Sequence, residues 1–166
     1  QQGVSGIGSV SARSVGSVRD EPLFLSRRGV HAIVSSVLTA QRSVQNRSYF
    51  VDPALTREPH PEQAVAVNWE GRYLLCFGDN CYVLDGNQKR AYRSQSENDY
   101  VYECYHWNGI PARCFLEVDG ALFFGTAEGA ICRFNKRQLA AVPPSIYTAV
   151  AYLELKELEL SVLINV

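Results

Sequence analysis

The chain has 166 residues, enough for one ordinary domain with a core of its own. Hydrophobic residues make up 46% and charged residues 20%, a globular composition rather than a disordered or membrane-spanning one. Lys and Arg number 16 against 17 Asp and Glu, a net charge of −1 that leaves no cationic excess to neutralise a polyanion, so nucleic acid is not an expected partner. No leader with a charged start and an apolar middle opens the chain, and no run of about 18 apolar residues occurs, so neither secretion nor a membrane is supported. Methionine is absent even at position 1, and the chain reads as a processed product or an internal fragment.

Residues 1–20 are rich in Gly, Ser and Val without helical periodicity, and read as an extended arm carrying Val4, Ile7 and Val10. From Glu21 the pattern alternates: Leu23-Phe24-Leu25-Ser26, then Arg27-Arg28-Gly29, then Val30-His31-Ala32-Ile33-Val34. That spacing predicts a hairpin, with Gly29 where the backbone needs positive φ. Arg27 and Arg28, with Arg42 and Arg47, form a basic patch expected to be a solvated hairpin tip. Asp52 as N-cap and Pro53 at the first helical position predict a short helix, stopped by Pro59 and Pro61.

Residues 64–69, the Glu70-Gly71 turn, residues 72–77, the Gly78-Asp79-Asn80 turn and residues 81–85 predict successive strands. Residues 101–135 predict a four-stranded antiparallel meander joined by Asn108-Gly109, Asp119-Gly120 and Glu128-Gly129, because both central positions of a type I′ turn require φ > 0. The run 146–166 alternates as Leu153-Glu154-Leu155-Lys156 and Leu158-Glu159-Leu160, and predicts a C-terminal strand or the start of a further unit within 136–166.

These units echo one another. Val30 to Cys81 is an offset of 51 residues, and Cys81 to Ile131 one of 50. A four-stranded antiparallel unit repeating at this spacing is the signature of an all-β, β-propeller-like fold over 21–135, with a sandwich or barrel as the alternative. About three such units fall short of the roughly four to eight blades of a closed ring. A sector of a larger propeller, several copies completing one, or an open stack of blades is therefore expected.

Chemical motifs are sparse. His31, His60 and His106 lack metal-ligand spacing, and the five cysteines, Cys76, Cys81, Cys104, Cys114 and Cys132, contain no C-x-x-C pair. Buried thiols in a reducing compartment are expected, with a Cys76–Cys81 bridge across a hairpin left open. Gly6-Ile7-Gly8 has neither the preceding strand nor the third glycine of a dinucleotide loop. Glu97, Asp99, Asp119, Glu128 and Asp85 sit in loops and turns that already explain them. No Gly-x-Ser-x-Gly occurs either, so no enzyme, cofactor or metal is expected. Trp69, Tyr105 and Trp107, with Asn108, could stack on a sugar, or could be consumed by packing between sheets.

Residues 20–30, the Arg42-Ser43-Val44-Gln45-Asn46-Arg47 stretch, residues 64–69, Tyr82-Val83-Leu84-Asp85 and residues 124–129 carry a resemblance. Over roughly residues 3–135 the chain resembles structural proteins of phages and prophages of Firmicutes-type hosts, which look like propeller-bearing tail, nozzle or neck components. The resemblance weakens past Lys136, and this chain is shorter than those proteins. It implies a non-enzymatic subunit assembled in the bacterial cytoplasm with reduced thiols and then carried in the virion. It also implies protein partners and a homo-oligomeric, ring-like assembly. Val4, Ile7, Val10, Phe24, Val30 and Ile33 are the expected assembly residues. A carbohydrate- or receptor-binding module using Trp69, Tyr105, Trp107 and Asn108 is the alternative.

Overall fold

The computed structural model describes residues 7–35, 42–91 and 100–134. The chain is mostly β, with little helix. Its strands are β1 (Gly16–Val18), β2 (Glu21–Ser26), β3 (Gly29–Ser35), β4 (Arg42–Asn46), β5 (Val65–Trp69), β6 (Arg72–Phe77), β7 (Asn80–Ala91), β8 (Tyr100–Asn108), β9 (Cys114–Val118), β10 (Ala121–Gly125) and β11 (Ile131–Arg133). They form three antiparallel sheets in chain order: β1-β2-β3-β4, β5-β6-β7-β8 and β11-β10-β9. Among the described residues the sheets do not close into a ring or a barrel. Val30, Cys81 and Ile131, spaced by the offsets above, lie in β3, β7 and β11, the third strand of each sheet.

Strand alternation decides how the sheets stack, because successive side chains point to opposite faces. Tyr73, Leu75 and Phe77 of β6, with Tyr82 and Leu84 of β7, join Val18, Leu23, Leu25, Val30 and Ala32 of the first sheet in one core. Leu74, Cys76, Cys81 and Val83 point the other way and join Leu122, Phe124, Cys132 and Phe134 in a second core. The middle sheet is thus covered on both faces, which explains why residues 73–77 read as an unbroken apolar run.

Turn chemistry agrees with the sequence at two places. Glu70 and Gly71 (φ 52° and 75°) join β5 to β6, and Asp119 and Gly120 (φ 51° and 73°) join β9 to β10, both in the left-handed pairing of a type I′ turn. The Arg27-Arg28 hairpin of β2 and β3 also forms as expected.

Four expectations are corrected. Asn108-Gly109 does not turn β8 back onto β9: β8 pairs with β7 instead, and the chain crosses to the third sheet, with the Ile110 amide donating to the Asp79 carbonyl (3.1 Å). Pro111, which has no N–H to give a ladder, stands in that crossing. The 101–135 meander is therefore split between two sheets. β10 and β11 are joined by a loop over 126–130, wider than a two-residue Glu128-Gly129 turn. The helix (α1, Asp52–Leu55) is one turn long with Val51 at its N-cap. The Asp52 carboxylate is diverted to Asn46 and to Ser48, whose Oγ donates to it at 2.6 Å.

The arm expected over residues 1–20 is built into the stack where it is described. β1 pairs with β2, Ser11 Oγ donates to the Ala64 carbonyl (2.8 Å), and the Tyr73 hydroxyl donates to the Ser14 carbonyl. The expected C-terminal strand in 146–166 lies outside the described residues.

β7 carries a bulge that aims its far end. Asp85 pairs with Glu103 but Lys89 with Tyr102, so residues 86–88 are extra. Asp85 holds them by accepting from the Asn87 amide (2.9 Å) and from Arg72 Nε (3.3 Å). A Cβ on Gly86 would collide with Val18 of the first sheet and the Gly71 carbonyl, so the close approach of the two sheets requires glycine there.

Candidate functional site

A densely bonded group among the described residues is Glu21, where β2 of the first sheet meets β8 of the second. Arg47, just past β4, engages it with two parallel bonds, Nη2 to Oε1 at 2.6 Å and Nε to Oε2 at 2.9 Å. The hydroxyls of Tyr100 and Tyr102 donate to the same two oxygens at 2.9 and 2.7 Å. Arg47 also donates to the Tyr100 carbonyl (2.7 Å), stacks 3.8 Å from the Tyr100 ring and accepts the Tyr102 amide on its own carbonyl (3.0 Å).

Burial alone would raise the Glu21 pKa. The hydrogen bonds from Arg47 and Tyr102, the Arg47 charge and the Tyr100 hydroxyl outweigh it, and the net shift is downward. Burial and the neighbouring carboxylate push the Tyr102 hydroxyl up. A carboxylate held as an anion with four donors on two oxygens is a clamp rather than a general base. Arg47, expected on a solvated basic tip, is fully buried. A cavity of about 640 Å³, with Arg19, Ile33 and Lys89 in its wall, opens beside the clamp.

Two other polar groupings lock turns and loops. His31 Nδ1 lies 3.1 Å from the Gly29 carbonyl and 3.0 Å from Ser26 Oγ. A carbonyl can only accept, so Nδ1 carries the hydrogen, and Ser26, which donates to the same carbonyl, is not activated by this imidazole. Burial lowers the His31 pKa against the opposing pull of the Gly29 carbonyl and Asp52. Beside the same β2–β3 turn, Glu58 accepts from the Tyr82 hydroxyl (2.6 Å) and Asn80 Nδ2 (3.0 Å), while His106 Nε2 lies 3.2 Å from Asn80 Oδ1. This chain ties the loop after α1 to the middle sheet. Among the described residues no three or more His, Cys, Asp or Glu side chains gather as metal ligands.

The expected site residues scatter. Val4 lies outside the described residues. Ile7 and Val10 are half-buried beside the β2–β3 turn, with the Val10 amide donating to the Leu25 carbonyl at 2.9 Å. Phe24 and Val30, expected at an assembly surface, are buried, Val30 in the core between the first two sheets. Among the described members of that set, Ile33 is the exposed one. Trp69 and Trp107, expected to stack on a ligand, are buried in the second core beside Phe134, and Trp69 Nε1 donates to the Gly120 carbonyl (3.3 Å). Tyr105 is half-buried and donates to Gln88, and Asn108 is exposed.

All five thiols are free. Cys76 and Cys81 face each other across the β6–β7 hairpin, both buried, and burial followed by the neighbouring thiol raises the Cys76 pKa. Cys104 is pushed up to about 12, chiefly by burial.

The surface that the sequence reading missed is the outer face of the third sheet. Phe115 points inward against Phe124, so Cys114, Leu116 and Val118 point outward, next to Gly125, Phe123 and Ala121 across the β9–β10 ladder. Leu116 and Val118 are 61% and 45% exposed. Alternation in residues 114–118 announced a strand, but not that its outward side stays apolar and open.

Comparison with protein families, with characterised proteins and with solved structures returned no match for this chain.

Proposed function

We propose that this chain is a non-enzymatic structural protein, a sector of a β-propeller-like stack that works as an assembly component of a phage or prophage virion, in its tail or neck. The observation that carries this reading is the stack itself: three consecutive antiparallel sheets, each packed on its predecessor in chain order. Blades of a propeller are related in this way, each hiding its faces against its neighbours. Three blades are fewer than the roughly four to eight that close a ring, so other protein subunits, further copies first among them, are the partners. Free thiols fit assembly in the reducing bacterial cytoplasm before incorporation into the virion.

The glycan-binding alternative loses its main support, because the indoles of Trp69 and Trp107 are spent on the second core. Light scattering over a concentration series, with electron microscopy of the same sample, tests the structural reading. A defined ring-like oligomer is expected. A chain that stays monomeric at high concentration and joins no larger particle overturns it.

A further inference from the structure

We infer that the outer face of the third sheet is the docking surface for the chain's own segment 146–166, which begins the next layer of the stack. The inference rests on the stacked-blade reading, and three observations support it.

The face is built to be covered. Leu116, Val118 and Phe123 sit together on it, Cys114, Ala121 and Gly125 fill the spaces between them, and its charged member is Arg133, opposite Phe123 and 5.8 Å from that ring. An open sheet face ordinarily carries polar side chains. A contiguous apolar patch instead marks a contact surface. The middle sheet shows what such a face does in this molecule: both of its apolar faces are buried against a neighbouring sheet.

Chain order names the occupant. Each sheet is covered by the one that follows it, and the covering sheet starts a similar distance along the chain. β3 ends at residue 35 and β5 begins at 65; β7 ends at 91 and β9 begins at 114. The same two spacings counted from the end of β11 at 133 reach residues 156–163. That window covers Lys156-Glu157-Leu158-Glu159-Leu160-Ser161-Val162-Leu163, which overlaps the end of the alternating run that starts at Leu153.

The chemistry of the run matches the face. Leu158, Leu160 and Val162 recur at period two and give one apolar side for Leu116, Val118 and Phe123. With three glutamates to one lysine, residues 153–160 carry a net negative charge that complements Arg133. Because face and segment belong to one chain, their effective concentration exceeds that of a second copy in dilute solution.

Cys114 lies on this face and is the exposed thiol of the five, which makes it a built-in probe. Leu158→Cys in the full chain, treated with a short bismaleimide, is expected to give a cross-link between positions 114 and 158 within one molecule, read by intact mass and peptide mapping. Adding Leu116→Glu is expected to abolish that species, while near-ultraviolet circular dichroism of the buried Trp69 and Trp107 stays unchanged and reports an intact second core. Cross-links only between molecules would make a second copy the occupant and overturn the inference. No cross-link in a folded chain would also overturn it. Either failure leaves the structural reading standing, since that reading is judged by solution mass and particle shape.

Discussion

Where the first sheet meets the second, apolar packing is joined by buried polar bonds: the Glu21–Arg47 pair, the hydroxyls of Tyr100 and Tyr102, and the Tyr73 hydroxyl on the Ser14 carbonyl. Where the second meets the third, Trp69, Trp107, Phe124 and Phe134 cluster with Leu74 and Val83, and the Trp69 indole donates to the Gly120 carbonyl among them. The two junctions are closed by different means. Directional bonds fix the register of the first, since a carboxylate with four donors tolerates little sliding. Packing of non-titrating side chains dominates the second, so it is insensitive to pH and sensitive to volume.

The comparison can be broken from the polar side first. Glu21→Gln leaves the fully buried Arg47 without its counter-charge and is expected to cost about 3–5 kcal/mol at neutral pH in denaturant unfolding. On the apolar side, Phe124→Ala removes a buried ring that touches Phe115 and Phe134, and a loss of about 3–4 kcal/mol is expected, equal at pH 5 and pH 8. If the Phe124 variant showed a strong pH dependence, the two junctions would not be separable as argued.

Acid separates them further. The Glu21 pKa is lowered on folding, so its contribution is complete above the ordinary carboxylate value of 4.5 and is lost as pH falls through the lowered value. His31 is also lowered, from 6.5; its neutral form is favoured in the fold, and that contribution fades as pH falls below 6.5. Stability measured from pH 8 downward is therefore expected to decline first through His31 and then through Glu21. Glu21→Gln should flatten the second step only.

Smaller effects sharpen the picture. Tyr73→Phe removes the bond to the Ser14 carbonyl, and about 1 kcal/mol is expected. Tyr105→Ala, a half-buried residue whose hydroxyl bond to Gln88 is exposed, should shift stability by less than about 1 kcal/mol, with no change at either junction.

Much of the fold was legible because its signals are local. Glu70-Gly71 and Asp119-Gly120 specify turns through the φ their positions demand, and period-2 alternation marks strands whatever they pack against. Asn108-Gly109 carries the same turn signal and misled the reading, since the ladder of β8 with β7 and the proline after it send the chain onward. The candidate surfaces were less legible. Nothing around Arg47 distinguishes it from Arg42, and burial of its charge depends on Glu21, 26 positions away. Trp69 and Trp107 look alike as exposed platforms or as core, because an indole serves both.

The sequence by itself determined an all-β chain of short antiparallel strands, their main turns, and a spacing that returns to the third strand of each sheet. Those properties follow from backbone dihedral preferences and side-chain alternation, which act over a few residues. Only the tertiary structure decided which strand joins which sheet, that the middle sheet is covered on both faces, and that Glu21 and Arg47 meet. It alone showed that the outward side of β9 and β10 is apolar and open. Those outcomes depend on which surfaces come together across dozens of residues, and two chain segments with the same alternation are interchangeable until packing chooses between them.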